Sequence, residues 1–196
     1  SKSLLALYLM QSLAAGGKAF GKFSIPSPAA SLLISEEDSG ETILTRLTQI
    51  RAGHGFDEAS TARLSFLVHA GVRIDDPKSL ALLREEIGRI RPSVIWWDTL
   101  NRFHSQNDNS QRAATAIMGV FDGIRRDFGG CAQVVLHHAA KGTENKSGGA
   151  KIRGSGVFHG FVESGIYLDR EGELLRVEVE SKFAAPDPFF YRLDFK

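Results

Sequence analysis

The chain has 196 residues, of which 42% are hydrophobic, and a formal net charge of +1. This length allows a sizeable buried core. A charge so close to zero argues neither for nor against a nucleic acid or a membrane surface as partner. The only cysteine, Cys131, excludes an internal disulfide and fits a reducing compartment, so we expect a cytoplasmic location. No apolar run reaches the roughly 18 residues of a membrane span, and no signal peptide is visible.

Lys2 and Ser3 begin the first predicted helix, which is rich in leucine and ends at Gly16 and Gly17. Lys-Ser at the start of a helix is also how a phosphate-binding P-loop, G-x-x-x-x-G-K-[ST], ends. In that motif the lysine contacts phosphates, the hydroxyl binds Mg²⁺, and the helix N-terminus favours an anion. The glycine-rich part would precede Ser1. The dipeptide alone therefore leaves a P-loop and an ordinary chain start as open alternatives.

Three acidic residues, Glu36, Glu37 and Asp38, follow a strand predicted over residues 30–35. Asp38 and Glu41 fit a capping box for the next helix, so helix capping is one interpretation. The other is that Glu37 or Asp38 acts as a general base that orients a water molecule against a γ-phosphate. The glycine- and proline-containing segment before this strand is predicted to be irregular.

Four apolar residues, Val-Ile-Trp-Trp, predict a strand over residues 94–97 that is buried on both faces and ends at Asp98 and Thr99. Open α/β sheets bind ligands at the carboxyl ends of their strands. An aspartate there can hold Mg²⁺ beside a nucleotide phosphate, or it can cap the following turn. Two acidic strand ends in one sheet favour ligand binding.

His137 and His138 follow a strand predicted over residues 131–136. One interpretation is a buried, satisfied histidine next to a solvated one. Another is a neutral imidazole that hydrogen-bonds a terminal phosphate. The next stretch, residues 139–152, is either a solvated loop or a basic loop that tracks a phosphate backbone. Its charged residues are Lys141, Lys146 and Lys151 against Glu144.

The remaining patterns complete an α/β chain. A strand is predicted over residues 64–68, a helix from Pro77, and a long helix that stops at Gly129. Towards the C-terminus, alternating apolar and charged residues predict antiparallel strands. We therefore predict a mostly parallel sheet flanked by helices in a three-layer sandwich, with a C-terminal antiparallel extension.

Taken in order, these features resemble the RecA-like P-loop ATPases, an AAA-type ATPase group, and specifically the branch of RepA-type hexameric replicative helicases. The resemblance covers almost the whole chain. It implies one RecA-like ATPase domain over residues 1–196, with its first strand and most of its P-loop upstream. The matching residues are Lys2-Ser3, 32–39 with Arg46, 94–99, 134–138 with Lys141-Gly142, Arg153-Gly154-Ser155, and Lys182.

The resemblance implies ATP and Mg²⁺ as cofactors. Lys2 and Ser3 are similar to the P-loop lysine and the Mg²⁺-binding serine, with Ser1 beside them at the nucleotide. Asp98 resembles the Walker B aspartate, a second residue at the metal. Glu37, in preference to Glu36, resembles the catalytic glutamate that polarises the attacking water.

Further residues are implied to act at a subunit boundary or at the γ-phosphate. His138, in preference to His137, resembles the residue that senses the γ-phosphate. Lys182 and Arg153 resemble basic residues that reach the ATP of a neighbouring subunit and stabilise transition-state charge. The expected partners are other copies of the chain, in a hexameric ring, and single-stranded DNA contacted by residues 139–152. No membrane partner is expected.

Two other functions remain open at this point. The chain could be a RecA-fold module that binds nucleotide or DNA, or supports assembly, without turnover. It could also be a RecA-like regulatory ATPase that acts on protein partners. Fold analogy does not separate these possibilities, because one fold supports several activities.

Overall fold

The computed structural model describes residues 2–107, 110–139, 148–152 and 156–192. They belong to two compact units, Ser1–Ser105 with Gly119–His137, and Gln106–Met118 with His138–Lys196. Ser1, Arg153 and residues 140–147, which carry predicted contacts, lie outside the described residues. No helix in the described ranges is both long enough and apolar enough to cross a membrane.

The elements alternate between helices and strands in the first unit, as the sequence predicts. The helices are α1 (Lys2–Ala15), α2 (Gly40–His54), α3 (Pro77–Ile90), α4 (Gln111–Asp127) and α5 (Val157–Phe161). The strands are β1 (Gly17–Ala19), β2 (Phe23–Ile25), β3 (Ser31–Ser35), β4 (Leu64–Val68), β5 (Val94–Asp98), β6 (Ala132–Val135), β7 (Ser164–Glu171), β8 (Leu174–Ser181) and β9 (Phe189–Arg192).

The first unit is built on a parallel four-stranded sheet in the order β4-β3-β5-β6. The residues in the middle of its two central strands are apolar, as expected for strands that helices cover on both faces. Leu32, Ile34, Ile95 and Trp97 are each 0% exposed. This arrangement confirms the predicted parallel α/β core.

Successive strand residues point to opposite faces, and this alternation places the helices. Asp98 accepts a hydrogen bond from Ser3 of α1, while the neighbouring Trp97 packs against Phe121 of α4. α1 and α4 therefore lie on opposite faces of the sheet. α2 packs against α1, and Arg84 of α3 forms an ion pair with Asp127 of α4, which gives two helices on each side.

The start of α2 differs from the predicted capping box. Ser39, not Asp38, is the N-cap, and its hydroxyl accepts a hydrogen bond from the Thr42 backbone N–H at 3.2 Å. Asp38 instead forms an ion pair with Arg46, two turns along the helix. The capping prediction was wrong: Asp and Ser both cap helices well, but here Ser39 is the cap and Asp38 is paired with Arg46.

The segment after α1 is also more regular than predicted. β1 and β2 form an antiparallel hairpin whose central turn residues, Phe20 and Gly21, both have positive φ, 53° and 66°. Two positive values define a type I′ turn, which usually carries Asn or Gly first. Phe20 is an unusual occupant, and its N–H donates to the Tyr8 hydroxyl at 2.6 Å. This tertiary contact accounts for the missed hairpin.

The second unit contains the antiparallel sheet β7-β8-β9, which confirms the predicted C-terminal extension. β7 and β8 join through a two-residue turn in which Gly172 has a positive φ of 61°. Val177 is 1% exposed and Leu175 is 7% exposed, so alternate positions of β8 supply the core of this sheet.

Trp97→Ala is expected to lower the free energy of unfolding by about 3–5 kcal/mol, because it leaves a cavity at a fully buried side chain. The Trp97 ring meets Phe103 and Phe121 edge-on at centroid distances of 5.3 and 5.0 Å. Urea unfolding followed by far-UV circular dichroism measures the loss. Leu82→Ala, at a side chain that is 66% exposed, is the control. Equal midpoints for the two variants would contradict this packing.

Candidate functional site

The carboxyl ends of β3 and β5 lie side by side in the centre of the parallel sheet. Ser35 is in register with Asp98, and the Glu36 backbone N–H donates to the Asp98 carbonyl at 3.0 Å. The two acidic strand ends that the sequence singled out are therefore adjacent. Parallel pairing brings them together, since neighbouring strands end at the same edge.

Asp98 is a buried carboxyl group, 4% exposed, next to the start of α1. Burial raises its pKa, and the negative charges of Glu37 and Asp38 act in the same direction. A hydrogen bond from the Ser3 hydroxyl and the positive charge of Lys2 oppose the rise. The structure thus brings together the Lys-Ser pair and the two acidic strand ends.

The three acidic residues after β3 have different surroundings. Glu36 is half-buried, and its Oε1 accepts a hydrogen bond from the Val72 backbone N–H at 3.0 Å. Asp38 is paired with Arg46. Glu37, between them, is exposed. The neighbours on either side are anchored to the protein, so the carboxylate directed to solvent is that of Glu37.

The residues around Asp98 fit a magnesium ion. Mg²⁺ usually takes only one or two protein oxygens together with phosphates and water, and Ser3 and Asp98 supply such a pair. The Ser35 hydroxyl, in register beside Asp98, is 1% exposed and has no hydrogen-bond partner among the described residues. A buried orphan hydroxyl beside a buried carboxylate suits a hydrated cation. The described residues hold no cluster of three or more His, Cys, Asp or Glu placed for a metal.

The two histidines fall in different units. His137 belongs to the first unit and follows Leu136, whose carbonyl accepts a hydrogen bond from the Thr99 hydroxyl at 2.9 Å. His137 therefore stands at the same sheet edge as Asp98. His138 belongs to the second unit and is half-buried there.

Lys182 lies just beyond β8 in the second unit, and its ammonium group donates to the Gly160 carbonyl at 3.1 Å. Its backbone N–H donates to the Glu163 carbonyl at 2.9 Å. Both acceptors lie in or just after α5. Lys182 is therefore tied to α5 through its main chain and its side chain.

The sequence did not reveal that the Ser35 hydroxyl is buried beside Asp98 or that the Val72 backbone N–H binds Glu36. A serine at a strand end is too common to single out, and a backbone donor carries no side-chain signature. Arg46 was part of the resemblance, but its partner Asp38 was assigned to the helix cap. The spacing of the two residues gave no signal, because Asp38 precedes the helix and the side-chain pairs that a helix brings together are three or four residues apart.

Comparison with known proteins places this geometry in a class, the RecA-like P-loop ATPases. The chain belongs to the family described as "AAA domain", which matches residues 1–144. The ATPase domain of G40P has a TM-score of 0.59 and 13% identity, over 82% of this chain and 70% of that one. The RadB recombinase has a TM-score of 0.61 and 14% identity, over 98% of this chain and 82% of that one. At these identities the two structures show a shared fold.

Asp98→Asn is expected to stabilise the protein in magnesium-free buffer, and more so as the pH rises. The pKa of Asp98 lies above its ordinary value of 3.8, so the folded state holds this proton more tightly than the unfolded chain does. Stability is therefore lost as the pH rises from the unfolded to the folded pKa, and the loss persists above it. Asparagine carries no such charge.

Thermal unfolding by circular dichroism, from about pH 4 to about pH 8, measures this difference. Asp187→Asn, the same change at an exposed position, is the control. A Tm difference between Asp98→Asn and the wild type that stays constant with pH would contradict the assigned environment of Asp98.

Proposed function

We propose that this chain is the ATP-hydrolysing motor domain of a RepA-type replicative helicase that works as a ring on single-stranded DNA. The observation that carries the proposal is the group of Lys2, Ser3, Glu37 and Asp98 at one edge of the parallel sheet. These are the residue types that phosphoryl transfer needs: a cation, a hydroxyl and a carboxylate for Mg²⁺, and a carboxylate for water. The glycines of the P-loop and its strand would precede Ser1.

Lys2 would neutralise the β- and γ-phosphates of ATP, and the start of α1 would add its backbone N–H groups and dipole. Ser3 and Asp98 would hold Mg²⁺, which supplies charge neutralisation when it is bound. The Ser3 hydroxyl already bonds to the Asp98 carboxylate, so these two ligands are pre-positioned. Pre-positioning lowers the cost of ordering them on binding.

Glu37 would orient the attacking water and accept its proton. A general base has to reach the water molecule that attacks the substrate. Of the three consecutive residues Glu36, Glu37 and Asp38, only Glu37 is exposed. Glu36 is held by the Val72 N–H at 3.0 Å and Asp38 by Arg46. Because these contacts already occupy Glu36 and Asp38, neither carboxylate is placed to act as the general base.

The proposal of a ring, with basic residues that act on a neighbouring subunit's ATP, is based on the resemblance and on the lysine at position 182. Lys182, and Arg153, would reach the ATP of a neighbouring copy, and His138 would sense the γ-phosphate. In the described structure the Lys182 ammonium group donates to the Gly160 carbonyl at 3.1 Å. A charge-assisted hydrogen bond to a phosphate oxygen would be stronger and could take the place of this contact. A hexamer is the ring size this proposal expects.

Single-stranded DNA is the proposed polymer partner, and residues 139–152 its contact. The stretch carries three lysines and one acidic residue but no aromatic residue. Binding would therefore be electrostatic and non-specific, without base stacking. Its affinity should fall steeply as salt is added.

Glu37→Gln is expected to lower kcat for ATP hydrolysis by about 10²–10⁴-fold, because glutamine cannot accept the proton of water. Nucleotide affinity should persist, since Lys2, Ser3 and Asp98 are intact. The matched control is Glu36→Gln, which keeps an acceptor for the Val72 N–H. Steady-state hydrolysis and binding of a fluorescent ATP analogue measure both quantities. If Glu36→Gln abolishes turnover and Glu37→Gln does not, the base is Glu36.

Single-stranded DNA is expected to accelerate ATP hydrolysis by the chain that includes the residues preceding Ser1. The measurement is phosphate release with and without oligothymidylate, alongside analytical ultracentrifugation for ring formation. Turnover that DNA leaves unchanged would favour a regulatory ATPase acting on protein partners. Oligomers that bind DNA without any turnover, unaffected by Lys2→Ala, would favour a binding or assembly module.

A further inference from the structure

Segment 69–76 connects β4 to α3 along the carboxyl edge of the parallel sheet. At its start, the His69 N–H donates to the Ser35 carbonyl at 2.9 Å. Near its end, the Ile74 N–H donates to the Phe103 carbonyl, beyond β5, at 2.8 Å. Because β3 lies between β4 and β5 in the sheet, the segment has to cross the end of β3. The three consecutive acidic residues begin at that strand end.

The far end of this segment is fastened by Asp75. Its Oδ2 accepts hydrogen bonds from the Ser105 N–H at 2.7 Å and from the Ser105 hydroxyl at 2.6 Å. Burial would raise the pKa of Asp75, but these two bonds, with the hydrogen bond and the charge of Arg73, lower it to about 2. Asp75 is therefore ionised near neutral pH, and an ionised acceptor makes the stronger hydrogen bonds.

The middle of the segment holds Glu36. Val72 is 6% exposed, and its backbone N–H donates to the Glu36 Oε1 at 3.0 Å. The backbone N–H of Glu36 donates to the Asp98 carbonyl, also at 3.0 Å. Glu36 is thus fixed twice, through its main chain to the end of β5 and through its side chain to segment 69–76. Displacing the side chain would leave the Val72 N–H without its acceptor, which is costly for a buried donor.

Glu37 is the next residue, and it is exposed. Its main chain continues from a fixed residue, so the direction in which its side chain leaves the sheet edge depends on the position of Glu36. A general base has to lie within about 2.6–3.2 Å of the group whose proton it takes. A displacement of about 1 Å can lower a rate about 10²-fold. The contact between Glu36 and Val72 therefore bears on how fast Glu37 can act.

We propose that Glu36 is a positioning residue for Glu37, held by segment 69–76 through the Val72 N–H. The inference rests on the proposed function, in which Glu37 orients the water that attacks ATP. Glu36 itself touches neither that water nor the nucleotide. It acts by accepting a hydrogen bond, which an amide oxygen can do as well as a carboxylate.

Two substitutions of Glu36 separate positioning from chemistry. Glu36→Gln loses the charge but keeps an oxygen for the Val72 N–H, so kcat for ATP hydrolysis should stay within about twofold of the wild type. Glu36→Met has nearly the same volume but no acceptor, and kcat should fall about 10–10²-fold. The affinity for a fluorescent ATP analogue should be unchanged in both, since the residues proposed to bind nucleotide are intact. Glu85→Met, the same change at an exposed position of α3, is the control.

A second measurement tests whether Glu36 acts through Glu37. In a chain that carries Glu37→Gln there is no base left to position, so adding Glu36→Met should cause no further loss of the residual rate. Loss by the same factor as in the wild type would mark a general structural role and overturn the inference. Single-turnover phosphate release measures these rates, on the chain that includes the residues preceding Ser1.

Wild-type kcat in Glu36→Met, or equal losses in Glu36→Met and Glu36→Gln, would overturn the positioning role while the proposed ATPase function stands. A wild-type chain that does not hydrolyse ATP overturns both, and so does undiminished turnover in Glu37→Gln. Asp75→Ala covers the case in which Glu36→Met does not fold, because it releases the far end of the segment from Ser105. It should lower kcat without changing nucleotide affinity, and wild-type kcat in that variant would also overturn the inference.

Discussion

The hydrogen bond from the Ser3 hydroxyl to the Asp98 carboxylate joins the first turn of α1 to the end of the central strand. It forms across the face of the sheet, and it requires a carboxylate to lie almost fully buried, at 4% exposure. A buried charge has to be compensated by partners. The Lys2 charge and the Ser3 hydroxyl offset only part of the cost, because burial and two neighbouring carboxylates still raise the pKa of Asp98. A site with this residual imbalance favours a cation.

The buried charge of Asp98 also limits where the nearby acidic side chains can lie. Three consecutive carboxylates next to a fourth would repel one another if all faced the same space. Glu36 accepts a hydrogen bond from the Val72 N–H, and Asp38 pairs with Arg46 on α2, so each of these carboxylates has a partner of its own. Glu37 remains exposed. The arrangement thus separates structural carboxylates from the one that is free to meet water.

The sequence by itself determined the layered α/β architecture and the acidic strand ends. The run Val94–Asp98 is apolar until its last residue, and only a strand covered on both faces is stable with that pattern. Period-2 alternation in Leu174–Ser181 likewise indicated an antiparallel, half-exposed strand. Both features are local, since they depend on neighbours along the chain. That is why the parallel core and the antiparallel extension could be predicted.

Tertiary structure alone decided which polar groups meet. The Asp38–Arg46 pair replaced a predicted helix cap, the Phe20 N–H bond to Tyr8 accompanied an unexpected hairpin, and the Ser35 hydroxyl was left buried beside Asp98. The hydrogen bonds from Ser105 to Asp75 are of the same kind. Periodicity records which face of an element is buried, but not which donor lies opposite a given acceptor. Those pairings are set by how whole helices, strands and turns pack against one another in three dimensions, and the physical chemistry of the site depends on them.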